Sequence, residues 1–200
     1  ADRIVAVGST SDLRTAHPDA EVFDATGCVV TPGMIDAHQH LTGDPLVRCC
    51  IPDLLPSGDA IFGWSVPIHG VHEPLDDEIS ASLAAAEGAL NGVTTVVEVG
   101  TVADGDAVAR GLATVGLRAT IGVWGWDIEQ GPYAAPVDEV LERQRALVAA
   151  YPAGGLIEGW VTLVGHDLAS DRLLAGAADL ARALGTGMTM HLSPTSSDPE

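Results

Sequence analysis

The sequence contains no lysine: its nine basic residues are all arginines, set against 28 acidic residues, for a formal net charge of −19 at pH 7. A Walker-type phosphate loop and a Schiff-base nucleophile both require lysine, and binding of nucleic acid or anionic lipid requires a basic cluster. No nucleic acid, no membrane and no polyanionic ligand is therefore expected as a partner. Cysteine is also scarce. Cys28, Cys49 and Cys50 include no Cys-x-x-Cys pair, which argues against a disulfide framework and against a zinc knuckle. No apolar run approaches the roughly 20 residues of a membrane span. The opening Ala1-Asp2-Arg3 does not read as a signal peptide, so a cytoplasmic location is expected. What remains is a globular composition, 46% hydrophobic and 18% charged. At roughly 150 residues per domain, the length suits one domain or a domain and a fraction.

From Gly92 to Ser193, short β-branched runs alternate with amphipathic stretches, the pattern of βα units building a parallel sheet. Asp76 or Asp77 caps a helix carrying Ile79, Leu83, Ala86 and Leu90 at helical spacing, and Asn91-Gly92 ends it before a strand at Val93–Val97. A helix over Asp106–Val115 leads through Gly116 to a strand at Arg118–Val123. Pro136 suits the first turn of a third helix, which ends at Tyr151-Pro152, and a strand follows over Ile157–Val164. Ser170 caps a fourth helix, Asp171–Leu184, ahead of a strand at Met188–His191. With an earlier strand at Met34–His38, five strands are expected. Residues 1–31 read as part of a small β-domain, with strands at Ile4–Gly8 and Glu21–Asp24. Between His40 and Leu75 runs a long, proline-rich connection that Ile61, Phe62 and Trp64 mark as packed.

The strongest local signal is His38-Gln39-His40 at the end of the first strand. Side chains at i and i+2 share a face of a strand, so Asp36, His38 and His40 project together. Two imidazoles so placed can bind one metal, and a carboxylate on the same face can orient a ring. Two exposed histidines on an edge strand fit the same pattern.

The surrounding residues resemble the amidohydrolase superfamily. The stretch Asp24-Ala25-Thr26-Gly27 followed by Thr31-Pro32-Gly33-Met34-Ile35-Asp36-Ala37-His38-Gln39-His40 is similar to that family's sandwich turn and first barrel strand, and Gly92-Val93-Thr94-Thr95 is similar to its second. The resemblance is closest to the cytosine, guanine and triazine deaminase or chlorohydrolase branch. It implies an α/β fold, a (β/α)8 TIM-like barrel of which strands 1 to 5 are present over residues 32–200, preceded by part of a β-sandwich over residues 1–31. It implies one divalent metal, zinc or alternatively iron(II), held by His38, His40 and His191. It also implies hydrolysis of a carbon–nitrogen bond, with a small neutral or cationic cyclic amide or amidine as substrate, and it admits a homodimer.

Departures from the family pattern carry information too. Binuclear members bridge their metals with a carboxylated lysine at the end of strand 4, and Trp160–Gly165 offers none, which favours a single metal. The branch's strand-6 histidine and strand-8 aspartate have no counterpart among these 200 residues, and a full barrel takes about 250. A catalytically incomplete portion of a barrel is the alternative. Pro194 stands where the branch carries a proton-shuttling glutamate, so either another group moves protons or the leaving group differs. His69, His166, Glu98 and Glu200 are candidates for that role, each with a structural alternative as loop, turn or buried strand residue. His69, Trp126 and His166 are candidates for the substrate pocket; Trp126 serves equally well as a core aromatic. Arg48 is the only basic neighbour of Cys49-Cys50, which makes a nucleophilic thiol a poor assignment.

Overall fold

A computed structural model describes residues 3–128 and 131–192. The chain divides into two compact units, Ala1–Pro32 and Gly33–Glu200. In the first, helix α1 (Thr10–Ala16) is capped by Ser9, whose Oγ accepts from the Asp12 N–H at 3.2 Å. The turn at Asp24 forms as its chemistry dictates: Asp24 Oδ1 accepts from the Thr26 N–H at 2.9 Å and from its hydroxyl at 2.6 Å, and Gly27 takes φ +79°. The two strands expected at Ile4–Gly8 and Glu21–Asp24 are absent among the described residues. A β-ladder needs partner backbone, and these segments have none: Val7 is 90% exposed and Phe23 93%.

The second unit is built on parallel strands. β1 (Met34–Gln39), β2 (Val93–Glu98), β3 (Arg118–Ile121) and β4 (Ile157–Gly159) form one sheet in that order, and β5 (Val161–Gly165) pairs with β6 (Met188–His191) in a second. The single strand expected over Ile157–Val164 is thus broken at Trp160. There the chain changes partner: the Trp160 N–H donates to the Ile121 carbonyl at 2.9 Å, and the next N–H, from Val161, donates to Gly187 at 3.0 Å.

At the break the buried Gln144 of the preceding helix reaches into the sheet. Its Nε2 donates to the carbonyls of Val123 and Thr162, both at 2.8 Å, and its Oε1 accepts from the Thr162 N–H at 3.1 Å. A helix side chain therefore takes over backbone groups that a continuous ladder would have paired. Gly125 makes room for this arrangement, since a Cβ there would lie 2.3 Å from the Thr162 carbonyl oxygen and 3.1 Å from Gln144 Nε2.

The connection after β1 folds into α2 (Asp44–Val47), α3 (Ser57–Ala60), a π-helical turn over Ile61–Ser65 and α4 (Val66–His69). Four- and five-residue turns are too short to show periodicity, so the sequence reads this stretch only as a packed loop. The longer helices are α5 (Pro74–Leu90), α6 (Gly105–Val115), α7 (Val137–Ala150) and α8 (Asp171–Leu184). Their ends follow cap chemistry. Asp104 accepts from the Ala107 N–H, Ser170 from the Leu173 N–H, and Gly116 and Gly185 close α6 and α8 in the left-handed conformation.

Ala81, Ala84 and Ala85 on α5 bury with Val108 and Leu112 of α6 against Val96, Ala119 and Ile121 of the sheet. Small residues let the helices approach closely: a Cβ on Gly111 would lie 2.5 Å from the Glu78 carbonyl. Val140, Val148, Leu173, Ala177 and Leu180 of α7 and α8 cover Val161 and Leu163 of β5. The result is an arc of five parallel strand positions with helices outside, an α/β barrel that these strands do not close. Among the described residues no helix is long and apolar enough to cross a membrane.

Candidate metal centre

His38 and His40 leave the carboxyl end of β1, and His191 is the last residue of β6. In α/β sheets ligands bind outside the carboxyl ends of the strands. The pairing of β1 with β2 gains one residue between Asp36 and Gln39, a bulge at the point where the histidines turn into the site. β1 and β6 are the two ends of the arc, yet the curvature brings their rings together. Ring centroids lie 5.4 Å apart for His38 and His40, 4.9 Å for His38 and His191, and 5.3 Å for His40 and His191. Each ring offers a nitrogen within 4.8 Å of the other two.

Neighbouring groups decide which nitrogens face the centre. His191 Nδ1 lies 2.5 Å from the Val164 carbonyl, which can only accept, so Nδ1 carries the proton and Nε2 is left with its lone pair. His40 Nδ1 lies 3.3 Å from Thr101 Oγ1. That hydroxyl donates to Glu98 Oε1 at 2.5 Å, so its oxygen accepts from His40 Nδ1–H, and His40 too presents Nε2. Burial, reinforced by His191 and His38, pushes the His40 pKa down to about 3, and burial lowers that of His191 against the Val164 hydrogen bond. Both are neutral at pH 7, the form that ligates metal. Asp36 does not orient a ring: its carboxylate accepts from the backbone N–H of His38 at 3.1 Å.

Glu98 is fully buried. It accepts from the N–H groups of Gly100 and Thr101 at 2.7 and 2.9 Å as well as from the Thr101 hydroxyl. Burial lifts its pKa to about 7 against these hydrogen bonds. Its oxygens are spent on the loop that backs His40, which makes it a support for the site and leaves it no opening towards a substrate.

The three histidines open on a cavity of about 300 Å³ that His69, Thr101 and Trp124 also line. His69 is buried, its ring edge-on to Trp124 at 5.3 Å, and burial followed by the proximity of His72 pushes its pKa down to about 4. Gly43, at φ +74°, is required here because a Cβ would lie 2.2 Å from His69 Nε2. The other pocket candidates sit elsewhere. Trp126 is a core residue, 2% exposed, packed with Trp124, Val66 and Leu168, and it lines a separate cavity with Pro67 and Pro132. His166 does not line the triad's cavity, and its Nδ1 is buried with no partner among the described residues. Pro194 and Glu200 lie outside the described residues.

The model of the amidohydrolase family matches residues 29–200, and that of an imidazolonepropionase-like composite domain of bacteria matches residues 1–20. The chain belongs to the amidohydrolase family. Among curated relatives, this amidohydrolase is 27% identical to the 5-methylthioadenosine/S-adenosylhomocysteine deaminase of Nitratidesulfovibrio vulgaris over 98% of its own length and 43% of the relative's. A zinc-bound adenosine deaminase from Xanthomonas campestris superposes with a TM-score of 0.70 at 24% identity, covering 82% of this chain and 37% of that one. A triazine hydrolase from Arthrobacter aurescens gives 0.69 at 22%, covering 80% and 40%. These likenesses establish the barrel fold, and the chain spans less than half the length of each of these proteins.

Sequence reasoning missed Asp44, Thr101 and Trp124 of this site. Thr101 and Trp124 follow β2 and β3, and only their position just past strand ends could have flagged them.

Proposed function

We propose that this chain supplies the metal-binding half of an amidohydrolase barrel that hydrolyses a carbon–nitrogen bond, other than a peptide bond, in a small neutral or cationic molecule. The observation that carries the proposal is the convergence of three imidazoles, from opposite ends of the strand arc, with two tautomers set so that Nε2 points inward. Three imidazole nitrogen donors at an open cavity suit one divalent metal, zinc first and iron(II) second. Held by His38, His40 and His191, such a metal would lower the pKa of a water for attack on a trigonal carbon. His40 and His191 are held in place through Thr101 and Val164, and the buried Glu98 keeps the Thr101 hydroxyl turned so that it can accept from His40.

The zinc-bound deaminase among the structural neighbours supports zinc and a deaminating or related hydrolytic reaction. Metal analysis of the full-length protein is expected to find one zinc or iron per chain, and His38→Ala is expected to abolish both the metal and the hydrolysis. Full activity in metal-free protein or in His38→Ala would refute the proposal. A substrate panel scored for ammonia against amine release then identifies the leaving group, the point that Pro194 raises.

A further inference from the structure

The cavity in front of the histidines is walled by Ile51, Ile61, Phe62, Val66, Trp124 and Val164. Among the described residues a single carboxylate lines this apolar wall, that of Asp44, in the first turn of α2. No described arginine lines the cavity, and the chain has no lysine.

Carboxylates removed from water elsewhere in the same unit are matched. Glu98 has its donors from Gly100 and Thr101, Asp77 accepts from the Asp104 N–H and faces His72, and Asp127 accepts from the N–H and hydroxyl of Ser170. Asp44 is different. It is half-buried, no described residue donates a hydrogen bond to its side chain, and burial is the only influence on its carboxyl, pushing the pKa up. The nearest cation along the chain, Arg48, is one turn further on and is turned away into a pair with Glu87 at 3.0 Å. A carboxylate held out of water without a donor costs free energy, which a ligand recovers when it brings the missing positive charge.

We propose that Asp44 is the polar anchor of the substrate pocket, receiving an ammonium or amidinium group carried on an apolar or aromatic body and thereby selecting for cationic substrates. The inference rests on this cavity being the hydrolytic site and narrows its substrate class.

The test is a titration of the full-length protein, zinc-loaded and metal-free, with benzamidine and its uncharged isostere benzamide, followed by calorimetry. In the wild type, benzamidine is expected to bind at least tenfold more tightly than benzamide in both forms. Asp44→Asn is expected to erase that preference while zinc content stays at the wild-type value. Equal affinity of the two probes in the wild-type protein, or an unchanged preference in Asp44→Asn, would overturn the inference. The wild-type comparison stands even if the variant fails to fold. The metal-free arm separates the two ideas, because absence of stoichiometric zinc defeats the metal proposal while the charge preference is still read.

Discussion

Two histidine clusters lie close together in this molecule, and they have opposite characters. In the His38, His40 and His191 cluster, the outer nitrogens of two rings are committed to Thr101 and Val164, so inner nitrogens converge unopposed. In the other, His72 Nδ1 faces Asp77 at 3.4 Å, with both side chains buried, and His69 packs between Gly43 and Trp124. In this second cluster His72 is paired with Asp77 and braces the start of α5, while His69 packs into the wall of the cavity. The contrast teaches that ligand capacity depends on where the spare lone pairs point, which a count of histidines does not reveal.

The comparison can be pressed by mutation and by pH. The largest expected difference is between His38→Ala, which loses the metal altogether, and His72→Ala, which keeps full zinc content by metal analysis. Next is the acid response of the metal-free protein. The His69 pKa falls from 6.5 to about 4 in the folded state, so between those values the unfolded chain binds more protons and stability drops as pH falls. That contribution amounts to about 3 kcal/mol in all. Denaturant melts from pH 7 to pH 4 should show the slope, and His69→Gln, which has no charge to gain, should flatten it.

His72→Ala, neutral for zinc, should still lower stability by about 2 kcal/mol by leaving the buried Asp77 short of a partner, as urea unfolding would report. The smallest effect is expected from Thr101→Val. It removes the oxygen behind His40 and should weaken zinc on the order of tenfold in competition with a chelator, the low end of such supporting contacts because the bond is 3.3 Å long. Equal zinc loss in His72→Ala and His38→Ala would erase the distinction between the clusters.

Much of the fold is legible along the chain because its signals are local. Ser170 and Gly185 delimit α8 as expected, and α6 and α7 fall within a residue of their expected bounds. The cap of α5 is Glu73, three or four residues before the expected Asp76 or Asp77, because the Asp76 carboxylate accepts from the Glu73 N–H at 2.9 Å and so bonds back to the cap instead of forming it. Failures appear where a distant partner decides. The strand after α7 breaks where Gln144, 18 residues from Thr162, reaches into the sheet, and the strands expected near Val5 and Val22 find no ladder. For the site, His38, His40 and His191 are readable by motif and strand end. Trp124 and Trp126 are two residues apart, chemically identical and buried in one core cluster, and only packing turns Trp124 to the histidine cavity and Trp126 to a separate one.

Lysine absence, strand-end histidines and helix caps are properties of residue type and short-range spacing, and they hold before any folding. Three things belong to the tertiary structure alone: the curvature that carries His191 across to β1, the proton positions that Val164 and Thr101 impose, and the stranding of Asp44 in an apolar wall. Each depends on atoms far apart in the chain, where hydrogen-bond direction and burial exist only once the parts have met.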